Sequence, residues 1–401
     1  MLGAAAGVAA LKQLELNHCE LLDLPPSDQV LTAALSELPA GLEHLSISFS
    51  NKGRARVRFP TAVLQQLQQL TYLFLGDMEL LSPDEASPAL QPLQALTRLV
   101  DVRLLYCSAT ITASMLPGAC NLTHLHIYGG TMEPSVLAGK ALLKDLQLSC
   151  RIPDGVAGAT RLLSHMQHLQ QLTHLDLQGS VFDCEDGSLP AAAYAALTAS
   201  SKLQRLIVSG GCMQVLFEGV WEHLSTAGRQ LPHLTSLKVS GTWRKGEAAA
   251  TCPPGSRIAD SCPRLHSLYM HSVPCSADLL ESLRGLDMLR DLSVRVLCKD
   301  WDRRAVLALC QLKGLKRLRC RVSDVEVPNL TADGLLLTEL QQLAKFKYRG
   351  PFKFSPLEII MCDSEVSGQL TPFMPVISSS AGGKGGAMFC KCPKLSHFCR
   401  L

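Results

Sequence analysis

The chain has 401 residues, enough for two or three globular domains or for one extended repeat array. A hydrophobic fraction of 47% allows a large core, but aromatics are only 5%, so that core must be built from Leu, Ala and Val. The net charge of +3 selects no partner class, and no uninterrupted apolar run of about 18–20 residues argues for a spanning helix.

The chain opens with MLGAAAGVAALKQLEL, which is apolar, lacks a basic leading segment and runs straight into patterned sequence. It reads as structure rather than as a signal peptide. From Leu11 an apolar residue falls at the first, fourth and sixth places of LKQLELNHCEL. The skeleton returns as LEHLSISFS at Leu42, LTYLFLGDMEL at Leu70, LVDVRLLYC at Leu99, LTHLHIYGG at Leu122 and LKDLQLSC at Leu143. It continues as LTHLDLQGS at Leu172, LQRLIVSGG at Leu203, LTSLKVSGT at Leu234, LHSLYMHSV at Leu265, LRDLSVRVL at Leu289 and LKRLRCRVS at Leu315, with a weaker LAKFKYRGP at Leu343. These thirteen copies start 332 residues apart over twelve intervals, a mean period just under 28. Between them lie helix-like stretches at 61–70, 190–201, 213–228, 276–286 and 303–315. Long connections are expected at 180–190 and 242–261. The pattern fails near residue 350, giving a repeat region over 1–350 and an irregular segment over 351–401. Residues 378–389, SSSAGGKGGAMF, have linker composition. Their GGKGG is no phosphate loop, because Gly rather than Ser or Thr follows Lys384. The tail cysteines Cys390, Cys392 and Cys399, with His397, are zinc-type ligands at unsuitable spacing, and CPKLSHF resembles the repeat opening CPRLHSL at 262–268. No metal or cofactor is expected.

The skeleton resembles the leucine-rich repeat, L-x-x-L-x-L-x-x-[N/C]-x-L, over about residues 8–350. The first copy fits throughout, with Leu11, Leu14, Leu16, Cys19 and Leu21. The near-28 period and the cysteine-containing openings are similar to intracellular plant and algal members, including ribonuclease-inhibitor-like repeats. The resemblance implies an α/β solenoid, with parallel strands on a concave face and helices on the convex one. Thirteen strands at about 4.8 Å would make an inner arc of about 60 Å. The ninth place, which the family fills with Asn or Cys, is well filled only at Cys19 and Cys107, so an uneven turn ladder is expected. The 16 cysteines sit mostly where a small apolar residue is wanted, which favours a reducing, cytoplasmic setting, with cytoskeleton or ciliary axoneme as further candidates. The Asn-x-Thr triplets at Asn121 and Asn329 do not change that reading.

Alternation turns the second, third, fifth, seventh and eighth residues of each copy to the concave face. Two patches emerge there. One joins Tyr72, Phe74, Arg103, Tyr106, His124, His126, Tyr128 and His174, exposed aromatics with Arg and His of the kind protein interfaces favour. The other joins Arg290, Arg295, Lys316, Arg317, Arg319, Arg321, Lys345, Lys347 and Arg349. Residues 289–353 hold 14 Lys/Arg against 7 Asp/Glu, a net +7 in a chain of +3. Cations so close repel one another, and an anionic partner relieves that repulsion. Aromatics for base stacking are sparse at this end, so an acidic protein ranks above nucleic acid. The sequence therefore reads as a non-enzymatic protein-binding scaffold, with no membrane partner. Two variants of that reading are an F-box-type substrate receptor of a ubiquitin ligase and the sensor region of an immune receptor. An enzyme is the different-class alternative, and no G-x-S-x-G or H-E-x-x-H motif supports it.

Overall fold

The computed structural model describes residues 11–19, 33, 35–49, 57–81, 91–108, 110–116, 120–179, 194–212, 224, 231–242, 258–297, 303–323, 345–349 and 357–360. Each of the thirteen copies supplies a strand. They are β1 (Gln13–Cys19), β2 (His44–Phe49), β3 (Tyr72–Gly76), β4 (Asp101–Leu105), β5 (His124–Met132), β6 (Asp145–Arg151) and β7 (His174–Leu177). Then follow β8 (Arg205–Cys212), β9 (Ser236–Thr242), β10 (Ser267–Pro274), β11 (Asp291–Leu297), β12 (Arg317–Ser323) and β13 (Lys345–Arg349). All thirteen pair in chain order and all are parallel. A fourteenth strand, β14 (Leu357–Ile360), lies within the segment expected to be irregular and pairs antiparallel with β13.

The repeat skeleton explains this order. The first-place and fourth-place residues of copies two to twelve, from Leu42 and Leu45 to Leu315 and Leu318, are at most 2% exposed. In the first copy Leu11, Leu14 and Leu16 are only half-buried, and among the described residues β1 pairs with β2 alone. No single strand can bury its apolar side, so neighbours share one core. Backbone bonds lock successive copies in register. The amides of Glu43 and His44 both donate to the Lys12 carbonyl, at 2.9 and 3.0 Å, and the same pair recurs as far as Lys316 and Arg317 donating to Arg290 at 2.9 and 2.8 Å. Four second-place threonines add a side-chain rung: Thr71, Thr123, Thr173 and Thr235 hydroxyls donate to the preceding copy's second-place carbonyl at 3.0–3.2 Å.

The helical segments differ from expectation in type. Residues 61–70 give a 3-10 helix over Thr61–Gln66, because the extra strand Val57–Pro60 consumes part of that copy. Residues 190–201 give another, over Ala195–Thr198. A 3-10 helix covers the distance with fewer residues, since it rises about 2.0 Å per residue. True α-helices form at α1 (Gly155–Met166), α2 (Ala277–Ser282) and α3 (Arg303–Cys310). The Ser276 hydroxyl caps α2 by accepting from the Leu279 amide at 3.2 Å. Leu162, Leu163 and Met166 of α1 and Leu279, Leu280 of α2 enter the same core as the strand leucines. The architecture is a leucine-rich repeat solenoid. Apart from residue 224, the helix-like stretch 213–228 lies outside the described residues, as do the long connection 180–190, residues 243–257 of the second one and the cysteine-containing tail; the end of that second connection, Ile258–Ser261, is a short helix.

Candidate partner-binding face

The strand register places the fifth residues of all thirteen copies in one row: Glu15, Ser46, Phe74, Arg103, His126, Gln147, Asp176, Ile207, Lys238, Tyr269, Ser293, Arg319 and Lys347. This row lies on the open face, since β4, β6 and β7 alternate half-buried and buried residues along their length. The row is less accessible than alternation alone predicts. His126, expected to be exposed, is only 8% exposed, and Ser46, Ile207 and Ser293 are buried. Strands about 4.8 Å apart let long side chains of neighbouring copies lean over shorter ones. His126 lies between Arg103 and Gln147, and Ile207 between Asp176 and Lys238.

Most of the aromatic and histidine patch is engaged internally. Tyr72 stacks on His44 with ring centroids 4.0 Å apart and planes 2° from parallel, and the Arg103 guanidinium sits 5.5 Å from the Tyr72 ring centroid. Asp101 accepts from Arg103 Nε at 3.0 and 3.3 Å and from Nη2 at 2.8 Å, which raises the guanidinium pKa. His124 and His174 each hold Nδ1 within 2.8 and 2.9 Å of the preceding threonine hydroxyl. Phe74 is half-buried. Tyr128 donates its hydroxyl to Gln147 Oε1 at 2.9 Å, and Gln147 Nε2 donates to Asp145 Oδ1 at 3.1 Å. His126 Nε2 lies 3.3 Å from Asp145 Oδ1 and is buried without a hydrogen bond of its own. Burial works to raise the Asp145 pKa, yet the nearby His126 and the Gln147 amide outweigh it and hold the carboxyl below its usual value.

Tyr106 stands apart. It is 56% exposed, and its ring lies 6.5 Å from that of Tyr128. Its backbone is left-handed, with φ +56°, held by its amide donating to the Tyr128 carbonyl at 2.5 Å. The eighth place of five copies shares this conformation: Asp77 (+56°), Tyr106, Gly129 (+80°), Gly179 (+65°) and Gly210 (+118°). Sequence reasoning missed this feature, although the glycines recurring at that place signal it.

At the other end Arg290, Lys316 and Arg319 are exposed, as expected. Arg317 is exposed but not free. Its Nε and Nη2 grip the Asp291 carboxylate, with Nη2 2.6 Å from Oδ2, and this pairing raises the Arg317 pKa. Asp291 is itself buried and also accepts from the Ser267 hydroxyl at 3.2 Å. The register aligns Arg317 with Lys345, Arg319 with Lys347, and Arg295 with Arg321 and Arg349. The side chains of Arg295, Arg321, Lys345, Lys347 and Arg349 lie outside the described residues.

The ninth-place expectation holds at Cys107, whose buried thiol donates to the Leu75 carbonyl at 3.3 Å. Cys150 and Cys262 are buried thiols pushed up to about 12 by burial, which leaves them unreactive. Lys140 is buried with its ammonium on the Leu116 carbonyl, and burial lowers its pKa. Among the described residues no group of three or more His, Cys, Asp or Glu side chains is arranged to hold a metal ion. No helix among them is long and apolar enough to cross a membrane.

No family model matches the chain, and no curated protein matches it. Solved structures do. An internalin from Listeria monocytogenes is 14% identical, with 86% of this chain and 88% of that one covered at a TM-score of 0.47. A leucine-rich repeat protein of Leptospira interrogans is 15% identical, with 86% and 91% covered at 0.44. A chain of the PEPR1–AtPEP1 structure is 16% identical, with 80% and 46% covered at 0.40. At these scores the solenoid assignment rests on the chain's own repeats and strand register.

Proposed function

We propose that the protein is a non-enzymatic scaffold that binds a protein partner on the open face of its sheet, and that the partner presents acidic residues to the cationic end. The observation that carries this reading is the alignment of cations across β11, β12 and β13. Their register aligns Arg295 with Arg321 and Arg349, and Arg319 with Lys347, at the strand spacing of about 4.8 Å, with Arg290 and Lys316 exposed beside them; Arg317, aligned with Lys345, is already paired with Asp291. Charges that close lie within the Debye length of about 8 Å at physiological salt and repel, so an anionic partner relieves a strain that the free protein carries. Against catalysis stands the engagement of the face's own acids and bases: Asp101 with Arg103, Asp145 with Gln147, and Asp291 with Arg317.

The test is affinity capture from the native cell by the wild type and by a Lys316→Glu/Arg319→Glu variant. The variant is expected to lose an acidic protein that the wild type retains at low salt and releases at high salt. Equal recovery by both proteins removes the basic-end reading. Recovery of nucleic acid in place of protein replaces it with a different one.

A further inference from the structure

The strand that ends the described sheet departs from the repeat in direction and in charge. β14 pairs antiparallel with β13, whereas every other pairing among the described strands is parallel. Its register sets Leu357 opposite Tyr348, Glu358 opposite Lys347, Ile359 opposite Phe346 and Ile360 opposite Lys345. Phe346 and Tyr348 are aligned in turn with Leu318 and Cys320, and Leu318 belongs to the core. Leu357 and Ile359 therefore continue the core rows, and Glu358 continues the fifth row beside Lys347 and Arg319. A slip of one residue would exchange the two sets, sending the acid to a core row and an isoleucine to the cationic one, so the register is strongly specified.

Covering a sheet edge asks only for backbone pairing and apolar residues in the core rows. It asks nothing of position 358, where any polar residue would serve. The sequence puts an acid there, directly opposite a cation, at the separation of about 5 Å that cross-strand partners keep. The surrounding sequence has the same sign, since residues 354–383 hold Glu358, Asp363 and Glu365 and no Lys or Arg. We propose that β14 is an autoinhibitory strand: in the free protein Glu358 stands in the fifth row as an internal substitute for the partner's acid, and the partner binds by taking its place. Seven residues join β13 to β14, so the substitute competes at the effective concentration of a short tether, in the millimolar range. A single outside carboxylate is held off. A partner that presents several acids together displaces it, because Glu358 answers Lys347 alone while Arg290, Lys316 and Arg319 remain exposed to the others. This inference rests on the basic end being the binding site, and it adds the regulation of that site.

The experiment measures polyglutamate binding by the full chain at low and high salt. Glu358→Gln is expected to bind several-fold more tightly than the wild type at low salt, with the gain shrinking as salt rises. Asp287→Asn removes an equal charge from an exposed turn ahead of β11 and is expected to change the affinity little. Ile359→Pro removes an amide from the strand and is expected to reproduce the gain, with faster amide exchange in β13 and β14. Salt-sensitive wild-type binding that Glu358→Gln leaves unchanged overturns this inference alone. So does an equal gain in Asp287→Asn, which reduces the effect to net charge, or an Ile359→Pro protein whose β14 exchanges faster without tighter binding. Failure of every one of these proteins to bind overturns the basic-end reading and this inference with it.

Discussion

Replacing Arg317 by Ala tests whether the cationic end carries an internal clamp. Asp291 is a buried carboxylate whose partners are Arg317 and the Ser267 hydroxyl at 3.2 Å. Removing the guanidinium leaves the carboxylate with one neutral donor. Orphaning a buried charged acceptor costs up to about 3 kcal/mol, but Arg317 is itself well solvated, which pulls the expectation down to about 1 kcal/mol. A urea melt followed by circular dichroism reads this as a lower midpoint with an unchanged slope. The decisive form is a double-mutant cycle. In an Asp291→Asn background Arg317→Ala should cost far less, giving a coupling energy near 1 kcal/mol. Strict additivity of the two substitutions would refute the clamp. It would also return Arg317 to the set of free cations, as the sequence alone suggested.

The remaining expectations follow from other positions. Leu318→Ala empties a site that is 1% exposed and should cost about 2–5 kcal/mol, seen as faster amide exchange in β11 and β12 before distant copies respond. Gly129→Ala forces a Cβ against the Tyr106 backbone at φ +80° and should destabilise by about 1–3 kcal/mol in a thermal melt. Burial raises the Asp176 pKa above its unfolded value, so the cost to folding grows as pH rises from the ordinary carboxylate value to the folded pKa and is fully present above it. Asp176→Asn should therefore stabilise the protein at neutral pH. That gain should fade as pH falls through the raised folded pKa towards the ordinary carboxylate value, and a gain that persists in acid contradicts the burial argument. Arg304→Ala, which removes exposed pairs with Asp278 and Glu281, should leave the melt almost unchanged.

Much of the fold was legible in the letters. A leucine at the first place of all thirteen copies, with Leu, Val or Phe at the fourth, has one physical use, and the structure turns each recurrence into a strand paired with the next. Even LAKFKYRGP, the weakest match, forms β13. The helical segments were less legible. TAVLQQLQQL has helical spacing, but the length of chain left after Val57–Pro60, which periodicity does not register, decides between α and 3-10. At the surface, alternation matches the half-buried and buried residues along β4, β6 and β7, and predicts accessibility only in part. His126 faces outward and is still buried, because accessibility depends on Arg103 and Gln147, its strand neighbours from the copies before and after. The pairing of Arg317 with Asp291 has the same origin: the two lie 26 residues apart in sequence and side by side in the sheet. Tyr106 was chosen as one aromatic among several, and only its backbone angle separates it from the rest.

Quantitative binding of polyglutamate across a salt series tests the central claim most directly, because it asks whether aligned side chains of separate copies act as one surface. The account predicts measurable affinity for the wild type, a steep decline as salt rises, and no binding by Lys316→Glu/Arg319→Glu with an unaltered melt. Salt-independent binding, or equal affinity in the charge-reversed protein, would contradict it.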